Sequence, residues 1–146
     1  MLIVETIVFL QNIPLFSAMT TNELIQLAYM THEVTYIAGS RIIEEGQPGD
    51  HMLIIVDGEV RIHRGKVELK KLGSNDFFGE MSIIDGEPRS ASATAVTDCL
   101  MLRIDQSEFL QLLWSRNSIA ISVIKTLTQR LRQTLAAYDE ARLQGI

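Results

Sequence analysis

The chain carries a single cysteine among its 146 residues, Cys99, so no disulfide framework can form within it. Its place in the apolar run Cys99-Leu-Met-Leu102 reads as a buried structural thiol. A chain built without disulfides suits a reducing cytoplasm. Basic excess is missing as well. Thirteen Lys and Arg stand against 18 Asp and Glu, a formal net charge of −5. A nucleic-acid surface needs clustered positive charge and is not expected here. The apolar start Met1–Leu10 carries Glu5, has no basic leader and is too short to span a bilayer, so neither a signal peptide nor direct membrane insertion is read there. The three histidines, His32, His51 and His63, lack a metal-ligand spacing such as H-E-x-x-H and read as solvent-facing strand or loop residues. There is no Gly-x-Ser-x-Gly elbow to activate a serine, no internal repeat and no low-complexity segment. Metal and catalytic residues are therefore both expected to be absent.

What is present is a globular composition, 47% hydrophobic, in a chain long enough to bury a core of its own. A single domain over 1–146 is expected, in three parts: a helical segment at 1–31, a β-rich region at 32–104 and helices at 105–146. Apolar residues at 3, 7 and 10 fit a short amphipathic helix; the same apolar start also fits a piece of a longer natural chain. Thr20-Thr-Asn-Glu23 is a capping box that opens a second helix, with Leu24, Leu27 and Ala28 on one face. Short β-rich runs follow at Val34–Ile37, Arg41–Glu44, Met52–Val56, Val60–His63, Val67–Leu72, Ala91–Val96 and Cys99–Ile104. Turn signals separate them, and Asp57-Gly58 marks a tight hairpin. Seven or eight such strands predict a jelly-roll or barrel. Asp105-Gln-Ser-Glu108 begins another helix, and a long one follows over Asn117–Leu143, with an apolar seam at Ile124, Leu127, Leu131, Leu135 and Tyr138.

The most informative stretch is Phe78-Gly79-Glu80-Met81-Ser82-Ile83-Ile84-Asp85-Gly86-Glu87-Pro88-Arg89-Ser90-Ala91. Gly79 permits close backbone approach to a ligand. Glu80–Ile84 reads as one short helical turn whose exposed amides point at an anion. Arg89 offers a planar fork of donors matched to phosphate oxygens, and Pro88 stiffens the turn that presents it. Glu80 is a strong acceptor for a sugar hydroxyl, and Arg89 placed between it and a phosphate would offset the repulsion. That equipment suits a small cyclic phosphate with its sugar. The bland alternative is an ordinary loop ion pair between Glu80 and Arg89.

This stretch resembles the phosphate-binding cassette of the cyclic-nucleotide-binding domain family, which includes bacterial catabolite activators and the regulatory subunits of cyclic-AMP-dependent kinase. A second pattern resembles the same family upstream: Ile42-Ile-Glu-Glu-Gly46-Gln-Pro-Gly49-Asp-His-Met-Leu-Ile-Ile-Val-Asp-Gly58. The likeness runs over about 12–140 and implies a mainly β fold: an eight-stranded β-roll with N-terminal helices, a long C-terminal helix and a cassette at 78–91. It also implies the roles. Gly79 and Ser82, with Met81 between them, would offer backbone amides, Glu80 would take the ribose 2′-hydroxyl and Arg89 the cyclic phosphate. Ser90 and Ala91 would add further contacts. Ile62 and Leu69 would pack on the base, although plain barrel core explains them equally well. Thr134 would present a hydroxyl to the base, with a surface threonine as the alternative.

Two functions fit these residues. One is a sensor for a cyclic nucleotide, cyclic AMP or alternatively cyclic GMP, that signals through its C-terminal helix to an effector, with a second copy of that helix as a dimer partner. The other is a docking or dimerisation module with the same fold and a vestigial pocket. The intact Gly79-Glu80 and Arg89 set favours the first. The reading leans to cyclic AMP, although Ser90 leaves a guanine contact open. The long helix leaves no room for a following helix-turn-helix, so transcription regulation by this chain alone is not expected. Nothing positive points to an enzyme.

Overall fold

The computed structural model describes residues 1–145, starting with α1 (Ile3–Gln11), a 3-10 turn at Pro14–Phe16 and α2 (Thr21–Met30). The capping box at the head of α2 is complete. The Glu23 amide donates to Thr20 Oγ1 at 3.3 Å, and the Thr20 amide donates to Glu23 Oε1 at 2.9 Å. Two orphan amides are thereby satisfied by one pair of side chains.

Eight strands follow: β1 (His32–Tyr36), β2 (Arg41–Ile43), β3 (His51–Asp57), β4 (Val60–Arg64), β5 (Val67–Leu72), β6 (Phe77–Phe78), β7 (Ser92–Ala95) and β8 (Cys99–Asp105). They form two four-stranded antiparallel sheets, ordered β1-β8-β3-β6 and β2-β7-β4-β5. This is the expected β-roll. All seven β-rich runs are strands, with ends moved by at most two residues. The additional strand, β6, is two residues long and pairs Phe77 and Phe78 with Ile54 and Leu53.

Strand β3 is buried on both faces, so it reads as a continuous apolar run rather than an alternating one. Period-2 geometry still sorts its side chains. Met52 and Ile54, with Leu102 and Ile104 of β8, join a core under the helices, while Leu53 and Ile55, with Met101 and Cys99, fill the space between the sheets. Each fully buried Leu or Ile contributes about 1.5–3 kcal/mol.

Three further helices complete the chain: α3 (Glu80–Asp85), α4 (Gln106–Ser115) and α5 (Asn117–Gly145). Helix α5 docks by its first turns, where Ile119 and Val123 are buried. These two anchors lie outside the expected seam. Of that seam Leu127 packs against the core, while Ile124, Leu131, Leu135 and Tyr138 are exposed.

Two expectations fail outright. Asp57-Gly58 closes no tight hairpin: β3 and β4 belong to different sheets, and Gly58, at φ 117°, turns the chain from one to the other. His63 is not solvent-facing but 1% exposed, with Nδ1 2.8 Å from the Gly65 carbonyl and Nε2 2.8 Å from Thr94 Oγ1. A polar ring is tolerated there because both nitrogens are satisfied. Among the described residues no helix is long and apolar enough to cross a membrane.

Candidate ligand-binding site

The site forms where three loops converge. Gly79 closes β6 and caps α3 in the left-handed region at φ 88°, a conformation that costs glycine little and other residues much. The turn frees the first amides of α3 to point outward. Gly86 ends the helix, also left-handed, its amide donating to the Ser82 carbonyl at 2.9 Å.

Arg89 is pinned from several sides. Nη1 donates to the Gly79 carbonyl at 3.0 Å and Nη2 to the His51 carbonyl at 2.7 Å. Its own backbone is held by the loop between β2 and β3. Gly46 N donates to Arg89 O and Arg89 N donates to Gln47 O, both at 2.9 Å. Gly49 is the packing partner: a Cβ there would sit 2.6 Å from Ser82 Cβ and 2.7 Å from Arg89 Nε. The upstream Gly46–Gly49 pattern and the Arg89 pattern are thus two halves of one structure. Burial lowers the Arg89 pKa, and nearby Asp50 and Glu80 oppose the shift. The guanidinium stays charged in any case.

Glu80 is buried, but its partner is not Arg89. Arg130 of α5 reaches it, with Nη1 donating to Oε1 at 2.5 Å. The same guanidinium lies over the Phe77 ring, 4.0 Å from its centre. The simple Glu80–Arg89 ion pair is therefore corrected: the acid is held by the long helix, and the two arginines approach the cavity from opposite elements. Sequence reasoning missed Arg130. Its only signal was a charged residue flanked by Leu127 and Leu131.

Around these groups is an inner cavity of about 220 Å³. Gly79, Glu80, Met81, Ser82, Arg89, Ser90 and Ala91 all line it, and Ile62 forms part of the opposite wall. Leu69 and Thr134 do not reach the inner cavity. They line an adjoining outer groove of about 700 Å³ between β5, α3 and α5. Thr134 Oγ1 donates to the Arg130 carbonyl one turn earlier, at 2.9 Å. Leu69 is exposed and is not barrel core. Lys70, Glu80, Met81 and Arg130 line both spaces and so form the boundary between them.

Elsewhere the fold gathers His32, Asp105 and Glu108, whose ligating atoms lie within 4.8 Å of one another. Arg103 Nε is 3.1 Å from Asp105 Oδ1 and already compensates that carboxylate.

The family model described as "Cyclic nucleotide-binding domain" matches residues 33–116. A cAMP-dependent protein kinase regulatory subunit of Aspergillus fumigatus is 38% identical over 107 residues, covering 72% of this chain and 26% of that protein. A CRP-like cAMP-activated global transcriptional regulator of Mycobacterium tuberculosis is 30% identical over 125 residues, 82% of this chain and 56% of the regulator. The chain thus spans between a quarter and somewhat over half of these relatives. Among solved structures, the Thermus thermophilus catabolite activator protein superposes with a TM-score of 0.77 at 30% identity, covering 88% of this chain and 63% of that one.

Proposed function

The chain belongs to the cyclic nucleotide-binding domain family, and from that premise we propose that it is a ligand-responsive sensor of a cyclic purine nucleotide, with cyclic AMP the expected ligand. The relatives named for cyclic AMP support that choice of ligand. The observation that carries the sensor reading is the Glu80–Arg130 contact, because it ties the phosphate-side helix to α5.

In this reading the cyclic phosphate sits against the first amides of α3 and the outward N–H groups of Arg89. Glu80 keeps Oε2 for the ribose 2′-hydroxyl, since Arg130 takes Oε1. The phosphodiester and Glu80 bring two negative charges, and Arg89 and Arg130 bring two positive ones. Neither arginine alone balances the site. The base extends past Glu80 toward the outer groove, where α5 forms one wall. Ligand and helix then share Glu80, so occupancy and the position of α5 are linked by their differential contacts. Binding, not turnover, is the activity, and α5 hands it to an effector or to a second copy of the chain.

Thermal melting of nucleotide-free protein with cyclic AMP tests this. At a ligand concentration 100-fold above Kd the native state gains about 2.7 kcal/mol. A rise in Tm of several degrees is expected. No shift at millimolar ligand overturns the reading.

A further inference from the structure

The end of the roll where β1 and β8 meet α4 carries a polar cluster that packing does not account for. His32 faces Arg103 across the β1–β8 register, and Asp105 lies two residues further along β8, on the same face as Arg103. The His32 ring thereby reaches Asp105, with Nε2 3.7 Å from Oδ2, too long for a hydrogen bond. Asp105 also precedes α4, and one helical turn on, Glu108 returns to the same spot. One ligating atom from each of His32, Asp105 and Glu108 lies within 4.8 Å of the other two. Among the described residues two buried side-chain polar atoms lack a hydrogen-bond partner, Glu108 Oε2 and Arg103 Nε, and both belong to this cluster. Arg103 Nε is close to Asp105 Oδ1, at 3.1 Å, but misaligned for a hydrogen bond. A buried carboxylate oxygen without a donor, set beside a second carboxylate, is costly unless a cation joins them.

The donor set fixes the class of cation. One imidazole nitrogen and two carboxylate oxygens suit a first-row divalent ion of the zinc class, whereas Mg²⁺ and Ca²⁺ take oxygen shells of about six or more. Ligands about 2.0–2.2 Å from zinc stand about 3.3–3.6 Å from one another in a tetrahedron. The 3.7 Å between His32 and Asp105 is close to that, and both side chains are exposed enough, 48% and 39%, to rotate inward. Arg103 neutralises Asp105 from the Oδ1 side and leaves Oδ2 to the ion. We propose that His32, Asp105 and Glu108 form a divalent transition-metal site, with zinc its expected occupant and water in the fourth position. Three protein ligands beside a guanidinium set its affinity in the micromolar range. Once filled, it staples β1 and the end of β8 to the first turn of α4, which leads directly into α5.

Calorimetric titration of the full chain with zinc, after stripping by a chelator and with no affinity tag, tests the site. One ion per chain with a micromolar Kd is expected, together with a Tm rise of a few degrees in excess zinc and no response to millimolar Mg²⁺. Cobalt in place of zinc should give the strong visible bands of a four-coordinate ion. His32→Ala and Glu108→Gln alter ligands on two different elements, and each should weaken zinc binding at least about tenfold and remove the Tm rise. His51→Ala deletes the imidazole that stands across the β3–β8 register from Asp105 and should leave the isotherm unchanged. A loss in His51→Ala with none in His32→Ala overturns the assignment, as does an isotherm that neither His32→Ala nor Glu108→Gln alters. Absence of binding at millimolar zinc overturns the site and leaves the nucleotide reading untouched.

Discussion

Arg130 and Glu80 stand 50 residues apart in sequence, yet Nη1 of one lies 2.5 Å from Oε1 of the other. The Glu80 side chain is only 7% exposed and that of Arg130 32%. The pair is thus intermediate between a surface bridge and a buried one.

Removing the arginine leaves a mostly buried carboxylate without its partner. Arg130→Ala should cost about 1–3 kcal/mol, between the limits for exposed and buried pairs. Part of the loss is the stacking on Phe77. Chemical denaturation measures the cost. Glu80→Gln in the Arg130→Ala background should recover part of it, because the unpaired charge is gone. No recovery would show that the pair is not the source.

Arg89→Ala should abolish tight nucleotide binding while the roll still folds. Losing one partner of a buried charge pair costs about 2–5 kcal/mol of affinity, roughly 30- to several-thousand-fold. Arg89→Lys should recover little, since one ammonium cannot hold the Gly79 and His51 carbonyls and also fork onto a phosphate. Calorimetric titration, with circular dichroism as the fold control, reads both.

Gly49→Ala is a subtler test of the same arginine. The added methyl would collide with Ser82 Cβ and the Arg89 guanidinium, so one of them must move. Affinity should fall at least tenfold with a Tm change of a few degrees. Unchanged affinity would mean that the loop yields without disturbing Arg89.

Burial holds the Cys99 thiol above its ordinary 9.0, partly opposed by hydrogen bonds to Thr97 and Glu59, and holds the Tyr36 phenol above 10.0, opposed by Arg103. In both cases the unfolded chain ionises first. Their stabilising contribution is complete below the unfolded pKa and is lost as pH rises through the folded one. The urea midpoint should therefore decline from about pH 8.5 upward. A Cys99→Ala, Tyr36→Phe double variant should decline less steeply. An identical slope would place the cause in other groups.

The sequence made the local devices legible. The Thr20–Glu23 box and the Gly79-to-Arg89 stretch encode their geometry within a few residues, whereas Asp57-Gly58 carries a hairpin signal at a point where the chain crosses from one sheet to the other. Long-range pairings were not legible. Arg130 meets Glu80 because α5 anchors at Ile119 and Val123, which no helical spacing at 124–138 reveals. His63 reads as solvent-facing from sequence because its partners, Gly65 O and Thr94 Oγ1, come from a turn and from a different strand. Strand β6 is too short to carry a period. The boundary position of Lys70 depends on an interstrand register that a bulge between Ile62 and His63 resets.

The last prediction concerns α5. Its first two turns are clamped by Ile119 and Val123, whereas from Ile124 onward most of its apolar residues are exposed. Over that span its hold on the roll is Leu127 and the Arg130 contacts with Glu80 and Phe77. Such a helix opens locally at low cost, because few apolar contacts must break. A bound nucleotide adds contacts on both sides of Glu80 and fills the outer groove that α5 walls. Hydrogen exchange with and without cyclic AMP should therefore show strong added protection over 125–138. Strands β3 and β8, already buried on both faces, should change little. In Arg130→Ala the ligand-induced protection of α5 should shrink even at saturating nucleotide. Equal protection of 125–138 in free and bound protein would make α5 a fixed support and would move the switch to the α3 turn.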